Sequence, residues 1–205
     1  MTVTYFAVGA LQVNCVLIAD EADNAVVIDP GDDAAELIAH IRSRKMAVKA
    51  VLLTHAHFDH LLAAYEVMEA FGAPLWLHEA EAPALTDTGK SLIPEYRQPY
   101  VLKADRLLKD GERFVVGALE GEVLHTPGHT VGSCCYRFGD VLISGDTLFA
   151  QSIGRTDLPG GNTAQMLQSL RRLSALPDTL RVIPGHGPET VLGYERHYNP
   201  YLSRS

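Results

Sequence analysis

An α/β fold, with several strands ahead of an alternation of strands and helices, is predicted for this chain by three features. Short runs rich in Val and Ile, bounded by Gly, Pro, Asn or Asp, recur along its whole length. Between them lie amphipathic stretches whose apolar residues repeat at helical spacing. Four of the strand-like runs also end in a polar residue able to bind metal, each within a turn that carries Gly, Thr or Pro.

The first strands are expected at residues 2–8, 12–19 and 25–29, followed by a turn at Asp29-Pro30-Gly31. Asp33 and Glu36 have the spacing of a capping box, which opens a helix running to about Arg44. A buried strand at 48–53 ends at Thr54-His55-Ala56-His57-Phe58-Asp59-His60. Asp59 sits where an N-cap would start a helix that continues to Phe71 and stops at Gly72. Leu61, Leu62, Tyr65, Met68 and Phe71 give that helix a core-facing stripe. A short strand is expected at 74–77. Residues 86–111 show no regular pattern and read as a long connection with helical pieces, in which Tyr96 and Tyr100 either roof a cleft or pack the connection. Four further strands fall at 114–116, 120–124, 134–138 and 141–144. Asn162 and Gln165 then open a helix to about Leu176, ahead of a strand at 181–183 and a last helix near 189–197. No low-complexity linker or charge block divides the chain, so one domain over residues 1–205 is expected.

Composition excludes several classes of function. A formal net charge of -8 opposes a general polyanion-binding surface, so no nucleic-acid partner is expected. No apolar run approaches the roughly 18 residues that suggest a membrane span, and the N-terminus lacks the basic start and long apolar stretch of a signal peptide. Cys15, Cys134 and Cys135 form neither a Cys-x-x-Cys pair nor a disulfide framework. They read as buried thiols in a reducing cytoplasm.

The histidine motif is the most informative stretch. His55 and His57 are two apart, so both rings lie on one side of an extended segment. Asp59 and His60 are adjacent and diverge, which is awkward for one metal and natural for two. Imidazole and carboxylate donors suit zinc and, less selectively, iron or manganese. The other strand ends supply His129, Asp146 and His186, in Thr126-Pro127-Gly128-His129-Thr130, Ser144-Gly145-Asp146-Thr147 and Pro184-Gly185-His186-Gly187. Loops at the carboxyl ends of strands present ligands from a rigid sheet, and these ligands converge if the four strand ends lie side by side. His40, His78, His125 and His197 are assigned surface, capping or structural duty. Asp29 is assigned to the turn or to orienting a metal-binding imidazole.

These motifs, with Asn14 and Ile28-Asp29-Pro30-Gly31 ahead of them, resemble those of metallo-β-lactamase-superfamily hydrolases over nearly the whole chain. Gly154-Arg155-Thr156-Asp157 and Asn199-Pro200-Tyr201-Leu202 are similar to the short glyoxalase II-like, or hydroxyacylglutathione hydrolase-like, branch. The resemblance implies a four-layer αββα sandwich with a dinuclear site at one edge of the sheets. It implies that His55, His57 and His129 hold a first metal, that Asp59, His60 and His186 hold a second, and that Asp146 bridges them. Two Zn²⁺ per chain are expected, with iron or manganese also compatible with the donors.

The implied activity is hydrolysis of a thioester such as S-lactoylglutathione by a metal-bridging hydroxide, with Asp59 and Asp146 as catalytic residues. A thioester suits such a site because its thiolate leaves without a strong general acid. No serine nucleophile elbow competes, since Ser144 lies in Ile-Ser-Gly-Asp. Arg155 is the candidate to bind an anionic substrate end, such as the glycine carboxylate of glutathione; the alternative is that it pairs with Asp157 and orders the loop. The chain ends at Ser205, without the helical C-terminal segment that supplies basic glutathione contacts in full-length glyoxalase II enzymes, so a smaller or different thioester is the alternative substrate. Asp146 stands where class B1 β-lactamases usually place a cysteine, which sets antibiotic hydrolysis aside. The alternative from another reaction class is a mononuclear iron persulfide dioxygenase, in which His55, His129 and Asp146 would be the ligands. Leu158 and Pro159 depart from the Phe-Gln expected there. The expected partner is a small anionic substrate, and the expected state is a cytoplasmic monomer or small homo-oligomer.

Overall fold

A computed structural model describes residues 1–95 and 101–202. Tyr96 and Tyr100 lie outside the described residues. The first three strands, β1 (Thr2–Val8), β2 (Val13–Ala19) and β3 (Asn24–Ile28), pair antiparallel in sequence order. Helix α1 (Ala34–Ser43) then crosses to β4 (Ala47–Leu53), parallel to β3. Helices α2 (Phe58–Leu61) and α3 (Ala64–Phe71) cross to β5 (Leu75–His78), again parallel. A 3₁₀ helix at Glu79–Leu85 and the short α4 (Thr88–Ser91) precede β6 (Arg106–Leu108), which closes a sheet ordered β1-β2-β3-β4-β5-β6.

The second sheet begins with an antiparallel run: β7 (Arg113–Val116), β8 (Leu119–His125), β9 (Cys134–Phe138) and β10 (Val141–Gly145). A small hairpin of β11 (Leu148–Phe149) and β12 (Ser152–Ile153) stands apart from it. Helix α5 (Thr163–Ser174) crosses to β13 (Arg181–Pro184), parallel to β10, and β14 (Thr190–Val191) leads into α6 (Leu192–Tyr198). The order is β14-β13-β10-β9-β8-β7.

Alternation along the strands builds three apolar layers and hence four layers of structure. Val16 and Ile18 of β2, Val26 and Ile28 of β3, and Ala50 and Leu52 of β4 face the other sheet, where Val123, Tyr136, Phe138 and Ile143 meet them. The intervening Leu17, Val27, Val51 and Leu53 point outward against Leu37 and Ile41 of α1 and Val67 of α3. On the far side, Cys135, Leu142 and Val182 pack under Met166, Leu170 and Leu173 of α5 and Leu192 of α6. With both faces covered, the central strands read as continuous apolar runs. This is the αββα sandwich. Among the described residues no helix is long and apolar enough to cross a membrane.

Several elements differ from expectation. Asp33 does not cap α1 with its side chain: it lies at φ 54°, and its carboxylate accepts the Gly9 N–H at 2.8 Å instead. The helix expected from Asp59 to Phe71 is two helices, because the Ala63 N–H turns to the Pro30 carbonyl at 3.0 Å and leaves the ladder. Its first cap is His57, and Asp59 lies inside the first turn. β6 occupies the segment expected to be a connection. The four ligand-bearing strand ends are not side by side in one sheet: β8, β10 and β13 run in one direction in the second sheet, and β4 belongs to the first. The two sheets are joined at that edge, where the Cys134 N–H donates to the Thr54 carbonyl at 2.9 Å.

Candidate metal centre

The structure gathers His55, His57, Asp59, His60, His129, Asp146 and His186 at this shared edge. Three groups hold their donor atoms within 4.8 Å of one another: His55 with His57 and His129, His55 with His60 and Asp146, and Asp59 with His60 and His186. Asp146 lies between the trios. Its Oδ1 is 3.4 Å from His60 Nε2, while its Oδ2 is 3.4 Å from His129 Nε2 and 3.7 Å from His186 Nε2. Asp59 Oδ2 is 3.3 Å from His186 Nε2 and 3.9 Å from His60 Nε2. Gly185 is required beside them, since a Cβ there would meet Asp146 Oδ1 and His60 Cε1.

Hydrogen bonds on the far side of four rings fix which nitrogen faces the cluster. His129 Nδ1 is 2.7 Å from the Arg155 carbonyl, and His186 Nδ1 is 3.0 Å from the Leu11 carbonyl. A carbonyl only accepts, so both Nδ1 atoms carry the proton and both Nε2 atoms present a lone pair in the neutral ring. His60 Nδ1 donates in the same way to Asp29 Oδ2 at 3.0 Å. The Thr54 hydroxyl donates to Asp29 Oδ2 at 2.6 Å, and its oxygen is then free to accept from His55 Nδ1 at 3.1 Å. His57 is the exception: its Nδ1 faces His129 Nε2 at 2.9 Å.

Three inner atoms are unpaired: His55 Nε2, His60 Nε2 and Asp146 Oδ1 are buried with no hydrogen-bond partner. Buried polar atoms are normally satisfied, so a convergent set of lone pairs and carboxylate oxygens fits a bound cation. The electrostatics agree for His55, His57 and the two carboxylates, whereas His60 favours a proton that a cation would have to displace. Burial, followed by the neighbouring imidazoles, holds His55 well below its ordinary range and His57 down to about 4, keeping their lone pairs free of protons. Burial opposes charge on His60, but Asp146, Asp29 and Asp59 outweigh it and raise its pKa. Burial opposes charge on Asp146 too, and His60, His129 and His186 outweigh it, so the carboxylate stays ionised. Asp59 is likewise lowered against burial, chiefly by His60 and His186.

Arg155 reaches the site through its backbone, whose carbonyl anchors His129. Its guanidinium instead turns to Asp157, with Nε and Nη2 each 2.7 Å from a carboxylate oxygen. The cleft over the cluster has a volume of about 520 Å³ and is lined by His57, Asp59, His129, Asp146 and His186 together with apolar side chains. The other histidines stay out of it. His78 caps the 3₁₀ helix and stacks on His125 at 4.0 Å, His40 packs on Phe6, and His197 bonds within α6. All three cysteines are buried and free, and burial pushes the Cys135 thiol up to about 11.

Glu81 is a residue the sequence reading missed. It is buried and accepts from Ala56 N–H at 3.0 Å, Thr130 Oγ1 at 2.8 Å and Gly132 N–H at 2.8 Å, tying the His55–His57 segment to the turn after His129. Nothing in the sequence separates it from Glu79 two positions earlier. Asn14 does the equivalent for His186, donating from Nδ2 to the Pro184 and Gly187 carbonyls at 2.9 Å each.

Comparison with known proteins bears on the family and the fold. The family model of the Metallo-beta-lactamase superfamily matches residues 8–186. The hydroxyacylglutathione hydrolase GloC of Haemophilus influenzae is 36% identical over 213 residues, covering 99% of each chain. Among solved structures, the BLEG-1 B3 metallo-beta-lactamase aligns with a TM-score of 0.93 at 38% identity, covering 98% of this chain and all of that one. TTHA1623, solved in a di-iron-bound form, aligns with a TM-score of 0.85 at 37% identity, covering 97% of this chain and 100% of that one.

Proposed function

Since the chain belongs to the metallo-beta-lactamase superfamily, we propose that it is a metal-dependent hydrolase that cleaves a thioester, such as S-lactoylglutathione, in a glyoxalase II-type reaction. The position of Asp146 is the observation that supports this most, because its Oδ2 lies near both His129 of one trio and His186 of the other while its Oδ1 faces His60. His55, His57 and His129 would hold one ion, and Asp59, His60 and His186 the other. When bound, such a pair lowers the pKa of water and polarises a carbonyl, which is the chemistry a hydrolase without a serine or cysteine nucleophile needs.

The chain's own residues prepare this. Asp29, Thr54, Leu11 and Arg155 keep the imidazole protons at Nδ1, on the side away from the cluster. Asp146 and Asp59 are held as anions, so neither has to lose a proton for the centre to form. Phe58 and Phe149 form apolar parts of the cleft wall. In the reaction a C–O bond forms to the acyl carbon, the C–S bond breaks, and the departing thiolate takes the proton released by water. The similarity to GloC supports a thioester as the bond cleaved.

The test combines metal content with thiol release. Two metal ions per chain and release of free thiol from S-lactoylglutathione, or from an unrelated acyl thioester, are expected. No thiol release from any thioester overturns the assignment. One iron per chain with oxygen uptake on glutathione persulfide would replace it with the dioxygenase reaction. The likeness to BLEG-1 favours β-lactam cleavage as a second reading, since Asp146 distinguishes the chain only from class B1 enzymes. Hydrolysis of nitrocefin in preference to every thioester would establish that reading instead.

A further inference from the structure

We propose that the cleft selects uncharged thioesters with an apolar acyl chain over thioesters of glutathione, an inference that rests on the thioester reaction above. Away from the cluster, the cleft wall is built from Leu11, Phe58, Leu92, Phe149, Ile153 and Leu158. They come from four separate parts of the chain: the β1–β2 turn, α2, the end of α4, and the β11–β12 hairpin with its following loop. Leu11 is 52% exposed and Leu92 stands at φ 58°, a left-handed conformation costly for a leucine. Leu11 and Leu92, one exposed and one strained, fit ligand contact better than core packing, while Phe58 and Ile153 face the cleft from side chains that also pack against the core.

The charge pattern points the same way. Among the described lining residues Arg155 is the single Lys or Arg, and the Nε–Nη2 edge of its guanidinium is engaged by Asp157. The pair is formally neutral, so an incoming carboxylate must share the guanidinium charge with Asp157 or displace it from the Nε–Nη2 edge. Glutathione brings two carboxylates and an ammonium group. Set against leucine, isoleucine and phenylalanine, those that do not reach the shared Arg155 guanidinium would lose water without gaining partners. An alkyl chain in the same place buries apolar surface on both sides.

A two-by-two substrate set tests this on the metal-loaded protein: lactoyl or hexanoyl as the acyl group, and glutathione or N-acetylcysteamine as the thiol. Hexanoyl-N-acetylcysteamine should give the highest kcat/KM and S-lactoylglutathione the lowest, differing by about tenfold or more and mainly through KM. Asp157→Asn releases the guanidinium and should narrow the gap by lowering KM for the two glutathione thioesters. Equal or better turnover of S-lactoylglutathione overturns the preference, as does an Asp157→Asn variant with the gap unchanged. Turnover of none of the four removes the thioester reaction itself, an outcome distinct from a reversed preference.

Discussion

Each of the four histidines whose Nδ1 is anchored spends that proton on an acceptor outside the cluster, and the anchors differ: a carboxylate, a hydroxyl and two backbone carbonyls. Asp146 has no such anchor, and its carboxylate lies against His129 of one trio and His60 and His186 of the other. Asp146→Ala should abolish turnover and lower metal occupancy at both positions, read as metal per chain after gel filtration. Full occupancy would remove the bridging assignment. Glu81 acts one step further out. A glutamine there keeps the shape but turns an amide N–H toward a backbone N–H or hydroxyl that now donates to carboxylate. Glu81→Gln should weaken the His55–His57–His129 position by about 10- to 100-fold while sparing the other. Stepwise metal loss against a graded chelator, followed with Co²⁺ as a spectroscopic probe, checks this; two positions weakened equally would mean that Glu81 only stabilises the fold.

Secondary structure was legible where it depends on neighbours in the chain and illegible where a distant group intervenes. The central strands announced themselves because both faces are apolar. The N-cap of α5 did too, since Asn162 Oδ1 accepts Gln165 N–H at 3.0 Å within one turn. Asn162→Ala should therefore cost about 1 kcal/mol, measured by urea unfolding. Asp33 had an equally good local signature, yet Gly9, 24 residues away, took its carboxylate. The break between α2 and α3 depends on Pro30, and β6 is three residues whose only strand partner among the described residues is β5. The cluster residues stood out because seven of them fall in ordered motifs. Glu81 did not, because its role exists only once the 3₁₀ helix lies across both loops.

At the scale of the molecule, the cluster is where the two halves of the sandwich meet. Each trio draws ligands from both: His55 and His57 follow β4 while His129 follows β8, and Asp59 and His60 open α2 while His186 follows β13. Backbone bonds already cross this edge, from Cys134 to Thr54 and from Asn14 to Gly185. Acidity should loosen the metal-free protein through a second histidine pair. Burial first, and then the stacked His125, push His78 from 6.5 down to about 4. Between those values the unfolded chain binds a proton that the folded chain refuses, so this contribution is present above pH 6.5 and lost as the pH falls through about 4. His78→Asn, which keeps a capping side chain, should flatten the decline in unfolding midpoint between pH 7 and 5; an unchanged slope would place the sensitivity elsewhere. Metal should act more strongly, because an ion held by both sheets binds only the folded state. Supplying Zn²⁺ at about 100 times its Kd should add about 2.7 kcal/mol per independent site at pH 7. Chelation should lower the melting temperature of the whole chain in a single transition. Separate melting of the two halves would show that the centre does not join them.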